Sequence, residues 1–189
     1  MERALTVERP IAVNRVVAVT LGVALVAAAA QVSVPLPGTP VPMTLQPLAV
    51  LLVGGLLGSR LGAASLLLYL ALGAAGLPVF TPTVPLFGVA RLFGPTGGYL
   101  LAYPVAAFAT GAIVRTGTDG RRWGRIALGV LAGLAVIHLG GLAQLLILTG
   151  DLSVAARFGT LPFLLGDLGK LAIAVLALKH TVTPLRARL

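Results

Sequence analysis

Long apolar runs separated by short basic or proline-rich stretches dominate the pattern of this chain. Four runs stand clear: Ile11–Ala30, Gly98–Val114, Ile126–Thr149 and Phe163–Lys179. Each approaches the ~20 apolar residues that a helix needs to cross a bilayer core. Between the first two lies a further apolar block, Leu45–Ala75, interrupted by Gly58-Ser59-Arg60. A glycine, a hydroxyl and a charge in succession break it, predicting two short helices, Leu45–Leu57 and Leu61–Ala75. Helices this short can cross if non-helical segments beside them line a cavity. The pattern predicts an all-α membrane protein of six transmembrane helices, a single integral membrane domain over residues 1–189. The first run is too long for the core of a secretory leader, and no polar domain follows it, so it reads as the first span.

Composition agrees: 58% of the 189 residues are hydrophobic and only 10% are charged. A soluble domain carries about 25% charged residues, so this chain has too few polar groups to cover a water-facing core. Its 24 glycines and 13 prolines fit closely packed and locally broken membrane helices. Cysteine is absent, so there is no disulfide framework to read. The formal charge of +9 does not point to nucleic acid, because the basic residues cluster between apolar runs with little aromatic interleaving. Arg3, Arg9, Arg15, Arg60, Arg115, Arg121, Arg122, Arg125, Lys179, Arg186 and Arg188 fall on one side of a six-span layout, with only Arg91 and Arg157 opposite. The excess of positive charge faces the cytoplasm, so both termini are expected there, with Trp123 as an interfacial indole. The expected setting is the cell membrane, crossed several times. The opposite side is proline-rich. Val32–Met43 holds Pro35, Pro37, Pro40 and Pro42, and Leu77–Pro95 holds Pro78, Pro82, Pro85 and Pro95. Stiff, nearly uncharged segments suit either plain connectors or a lid over an outward-facing pocket.

Candidate chemistry is sparse. Asp167 and Lys170 lie three residues apart, on one face of the last span. Ionisable groups at membrane depth cost roughly 2.5–3.5 kcal/mol on insertion scales, so they should face a cavity or each other. The pair is either a structural staple or the polar end of a ligand pocket. Gly94-Pro95-Thr96-Gly97-Gly98-Tyr99 opens a helix whose exposed N–H groups favour an anionic or carbonyl oxygen. It lacks the Gly-Lys-Ser/Thr ending of a phosphate loop, and Tyr99 could stack on a flat ligand or merely anchor at the interface. Thr44 reads as an N-cap with Pro47 in the first turn, leaving Gln46 as a polar group near the pocket mouth. Arg91 is a candidate donor to a ligand carboxylate, or else a solvated loop cation. His138 stands alone in the fifth span without His-x-x-x-His spacing, and Gln144 reads as an interhelical hydrogen bond. Helix one carries small residues four apart, Ala18 with Gly22 and Thr20 with Ala24 and Ala28, which permit close helix approach. Either this chain or a partner membrane subunit could use them. No catalytic residues, no metal cluster and no cofactor site emerge, so an enzyme is not expected.

Four segments together resemble the BioY family, the biotin-binding S components of energy-coupling factor (ECF) vitamin transporters. They are Val41–Gln46 (VPMTLQ), Leu66–Pro78 (LLLYLALGAAGLP), Gly94–Leu100 (GPTGGYL) and Pro162–Lys170 (PFLLGDLGK), in the family's order. The resemblance runs from about residue 12 to 180. It implies a six-helix S-component fold that captures biotin near the outer face and delivers it inward. It nominates Asp167 and Lys170 as polar ligand contacts, with Thr96, Gly97, Gly98 and Tyr99 close by. Biotin's ureido ring has two N–H donors and one carbonyl, which suits an Asp beside a cation. Leu side chains and Tyr69 would then form an apolar wall, with Arg91 near the carboxylate. The implied partners are a transmembrane coupling subunit and ATPase subunits. The alternatives are an S component for another vitamin, such as riboflavin or thiamin, and a stand-alone proton-coupled secondary transporter.

Overall fold

The computed structural model describes residues 11–114 and 122–186. Arg3, Arg9, Arg115, Arg121 and Arg188, which contribute to the expected orientation, lie outside the described residues. Among the described residues seven α-helices follow one another: α1 Ile11–Gln31, α2 Gln46–Ala74, α3 Ala90–Phe93, α4 Gly97–Ile113, α5 Arg122–Thr149, α6 Leu152–Gly159 and α7 Leu164–Arg186. A 3₁₀ turn, Leu161–Phe163, leads into α7. Two short strands, β1 Ser33–Val34 and β2 Met43–Thr44, pair antiparallel with Ser33 opposite Thr44. The proline-rich segment between them is thereby pinned at its base.

Four helical stretches are long and apolar enough to cross a bilayer, and α4 is a shorter apolar helix. α2 is not one straight rod. Gly58 sits at φ 83° and ψ 178°, backbone that an L side chain rarely adopts. Gln46 Nε2 donates to the Tyr69 hydroxyl at 2.7 Å. In a straight helix these residues would stand about 35 Å apart at 1.5 Å per residue. A Cβ on Gly62 would come within 2.9 Å of the Gly54 Cα. The chain therefore folds back at Gly58, and residues 46–57 and 59–74 lie side by side as two crossings. With α1, α4, α5 and α7 this makes six.

Glycine sets how closely these helices approach. A Cβ on Gly54 would lie 2.4 Å from the Ala107 carbonyl, and one on Gly98 would lie 2.1 Å from the Gly140 carbonyl. The α2–α4 and α4–α5 crossings thus bring backbone against backbone, as small residues permit in lipid. Ala18 and Gly22 serve the same purpose inside this chain. Both are buried, and a Cβ on Gly22 would meet Ser65 Oγ at 2.7 Å and Leu57 Cδ1 at 3.3 Å. They are therefore intrachain packing residues, which corrects their expected part in partner docking. Thr20, Ala24 and Ala28 remain exposed on the other face of α1.

The two ends of the bundle differ in chemistry. At one end Arg122 Nη2 donates to the Lys179 carbonyl at 2.6 Å, and the Lys179 ammonium lies 4.1 Å from the Trp123 ring centre. Arg186 spans the same end, donating to the carbonyls of Gly55, Gly111 and Val114. At the other end the connectors fold onto one another. Ser33 and Thr83 hydroxyls meet at 2.7 Å, and Thr39 Oγ1 donates to the Phe158 carbonyl at 2.7 Å. Helix α6, which the apolar pattern did not predict, belongs to this layer. Asp151 caps it, its carboxylate accepting from the Ser153 and Val154 N–H groups at 2.7 and 3.2 Å.

Candidate functional site

Beneath the connector layer lies a pocket lined by residues of α2, α3, α4, α5 and α7 and of the connectors between them. Each element reaches it for a local reason. Helix α7 opens after the 3₁₀ turn, which places Asp167 and Lys170 in its first turns, one helical step apart. The α4–α5 crossing at Gly98 and Gly140 carries Tyr99 from one helix and His138 from the other to the same cavity. The start of α2 adds Gln46 and Pro47, and the connectors add Val41, Pro42, Thr44, Phe80 and Thr81. Leu100, Tyr103, Ile137 and Phe163 complete apolar and aromatic walls.

The polar centre is Asp167, only 4% exposed. Lys170 Nζ donates to its Oδ1 at 2.9 Å, and His138 Nε2 lies 2.7 Å from its Oδ2. A carboxylate only accepts, so the imidazole Nε2 carries the hydrogen in this contact. Each carboxylate oxygen keeps acceptor capacity, and the ammonium keeps two further donors. Tyr99 hydrogen-bonds the Gly159 carbonyl through its hydroxyl, which fixes the ring at the cavity wall.

Arg91 is not a solvated loop cation. It is 1% exposed, and its Nη1 and Nη2 donate to the carbonyls of Val84, Leu86 and Thr81. Burial lowers the affinity of this guanidinium for its proton, and the carbonyls that surround it favour the charged form. Three lining residues hold a buried polar atom without a hydrogen-bond partner among the described residues: Arg91 Nε, Thr96 Oγ1 and His138 Nδ1. Buried polar groups are almost always paired in a finished interior. All three belong to residues that line this one cavity.

Several expected positions have other work. Gly97 and Gly98 do not line the cavity. A Cβ on Gly97 would lie 1.9 Å from the Leu92 carbonyl, so both glycines serve close packing at the start of α4. Tyr69 stands behind the cavity, fully buried; it receives Gln46 Nε2 and donates to the Val79 carbonyl at 3.1 Å. It orients Gln46 instead of forming a wall. The residue preceding α2 is Leu45, one step after the expected cap Thr44, whose Oγ1 still accepts the Gln46 N–H at 3.2 Å. Gln144 donates to the Phe93 carbonyl at 3.2 Å, between elements. His138 is the residue that the sequence pattern undervalued. Its partner is 29 positions away on another helix, so no local spacing announces it.

Comparison with known proteins places this architecture. The sequence profile described as the BioY family matches residues 1–187. A relative described as a probable biotin transporter BioY, from Pyrococcus horikoshii, is 43% identical over 81% of this chain and 86% of its own length. The biotin transporter BioY of Thermotoga maritima is 39% identical over the same shares. A solved structure, the S-component for biotin from an ECF-type ABC transporter, superimposes with a TM-score of 0.78 at 26% identity, covering 89% of this chain and 90% of that one. The chain belongs to the BioY family.

Proposed function

We propose that this protein is the biotin-binding S component of a vitamin transporter of the cell membrane, capturing biotin from the outer side. The observation that carries the reading is the Asp167–Lys170 ion pair at the wall of a largely apolar cavity, ringed by unpaired buried polar atoms. Asp167 accepts ureido N–H groups and Lys170 donates to the ureido carbonyl. The aromatic and aliphatic walls of Phe80, Tyr99, Tyr103, Ile137 and Phe163 take the fused rings and alkyl chain. Arg91 Nε, Thr96 Oγ1 and Gln46 supply polar contacts for the tail, with Arg91 nearest in kind to what a carboxylate needs. The basic end of the bundle faces the cytoplasm in this reading, in keeping with the excess of Lys and Arg there. A transmembrane coupling subunit and ATPase subunits then drive inward delivery, since no nucleotide-binding motif occurs in the chain itself.

A panel of vitamins tests the reading. Biotin should raise the melting temperature of the detergent-solubilised protein, with about 2.7 kcal/mol of stabilisation at 100 times the dissociation constant. Riboflavin and thiamin should leave it unchanged. Equal shifts with all three, or none with biotin, would overturn the assignment.

A further inference from the structure

Both described acids of this chain lie at the cavity-bearing end, Asp167 in the cavity wall and Asp151 at the start of α6. At the opposite end, Arg60, Arg122, Lys179 and Arg186 have no carboxylate partner among the described residues. Two of these cations are drawn together between α5 and α7. Arg122 Nη2 donates to the Lys179 backbone carbonyl at 2.6 Å, a bond that leaves its charge uncompensated. The Lys179 ammonium stands 4.1 Å from the Trp123 ring centre, a cation–π contact. The ring offers attraction but no lone pair, so the ammonium N–H donors have no acceptor among the described residues. Trp123 is 44% exposed and Lys179 half-buried, so the cluster can be reached from outside the bundle. Deeper along the same two helices the surface is aliphatic. Leu128 and Leu131 on α5 and Ile173 and Leu176 on α7 are each more than half exposed.

We propose that Arg122, Trp123 and Lys179 form a binding site for an anionic phospholipid, between α5 and α7 at the basic end of the bundle. The headgroup phosphate accepts from the Lys179 ammonium, and the Arg122 charge beside it adds attraction. The indole lies at headgroup level, where its amphipathic ring belongs, and the acyl chains run along the exposed aliphatic side chains. An amphiphile satisfies both halves of this surface. A free anion or an acidic protein surface would match the cations and leave the aliphatic half unexplained. One bound headgroup would tie α5 to α7 at the end remote from the cavity, so the inference does not depend on which molecule the cavity holds.

Trp123 is the single tryptophan of the chain, so its fluorescence reports on this position alone. The full-length protein is reconstituted in phosphatidylcholine vesicles carrying a minority of lipid brominated on its acyl chains, which quenches an indole on contact. At equal fractions, brominated phosphatidylglycerol should quench Trp123 more than brominated phosphatidylcholine, with a local preference of roughly fivefold per engaged cation. Equal quenching by the two lipids overturns the proposal. Lys179→Gln should cut the preference about fivefold, and Lys179→Arg should keep it; an undiminished preference in Lys179→Gln also overturns the proposal. Arg60 is an exposed cation two residues from Gly58, which lies beside Arg186 at the same end. Arg60→Gln should leave the preference intact. If it cuts the preference as deeply as Lys179→Gln, the attraction is diffuse surface charge and the site does not exist. Soluble glycerol phosphate in excess should displace the lipid no more than chloride at the same ionic strength; greater displacement would show a site for the free anion instead. Should Lys179→Gln fail to fold, the wild type and Arg60→Gln still decide between a local site and diffuse charge.

Discussion

Asp167 sits where two helices, α5 and α7, contribute to one polar cluster, and its chemistry decides what the cavity can hold. Its two oxygens face Lys170 at 2.9 Å and His138 at 2.7 Å, and both remain able to accept more. Asp167→Asn keeps the shape but turns one acceptor into an NH₂ donor, which then opposes a ligand N–H or the donors already present. A lost charged hydrogen bond costs roughly 1.5–3 kcal/mol, so biotin affinity should fall between about tenfold and a few hundredfold by titration calorimetry. Lys170→Met leaves the carboxylate with the imidazole alone and should lower both affinity and melting temperature. A staple without a ligand role gives another pattern: each single variant less stable, the double variant recovered, and affinity per folded molecule unchanged. These two residues were legible because charges three apart in an apolar span demand an explanation. Gly97 and Gly98 pack against neighbouring backbone, and a glycine that admits a neighbouring element looks the same in sequence as one that admits a ligand. Arg91 was legible as a cation apart from the main basic clusters, but its three carbonyl partners come from a connector whose fold no periodicity describes.

The hairpin within α2 is the element on which the bundle turns. Reversal at Gly58 leaves the carbonyls of the preceding turn without helical partners, as at any helix end. Arg186, near the end of α7, reaches across to them: its Nε and Nη2 donate to the Gly55 carbonyl at 3.1 and 2.6 Å, and Nη1 to the Val114 carbonyl at 2.6 Å beyond α4. One guanidinium thus closes the C-terminal ends of two helices, where a cation also suits the helix dipoles. Arg186→Met should destabilise the protein by about 1–3 kcal/mol, the cost of leaving buried carbonyls unpaired. Arg186→Lys should recover little of it, because a point charge cannot reproduce the planar fork. Melting curves with biotin titrations check this, and affinity per folded molecule should hold because the clamp and the cavity lie at opposite ends. The break itself was visible as Gly58-Ser59-Arg60 within an apolar run. The clamp was not, because α7 was expected to stop at Lys179 where the apolar run ends, whereas it continues through a polar turn to Arg186. Helix α6 was missed for a related reason: eight residues of mixed polarity carry no span signal.

At the scale of the whole molecule, a cavity-bearing end stands opposite a basic end, and on the proposed reading a transmembrane coupling subunit would dock on the side of the bundle. The face of α1 carrying Thr20, Ala24 and Ala28 is exposed and unused by this chain, whereas Ala18 and Gly22 are buried against it. Small side chains four apart on an exposed helix face let a second helix approach backbone to backbone, the contact that holds membrane helices together when lipid is as apolar as leucine. Ala24→Leu places an isobutyl group on that face. It should abolish co-purification with the transmembrane coupling subunit, while melting temperature and biotin binding stay at the wild-type level. Gly22→Leu provides the contrast. Its side chain would run into Ser65 and Leu57, so it should lower the melting temperature of the isolated chain before any partner is present. Measuring complex recovery and stability for both variants separates a docking surface from internal packing. A complex that survives Ala24→Leu and Ala28→Leu together would show that this face meets only lipid, and that the coupling subunit is engaged elsewhere on the bundle.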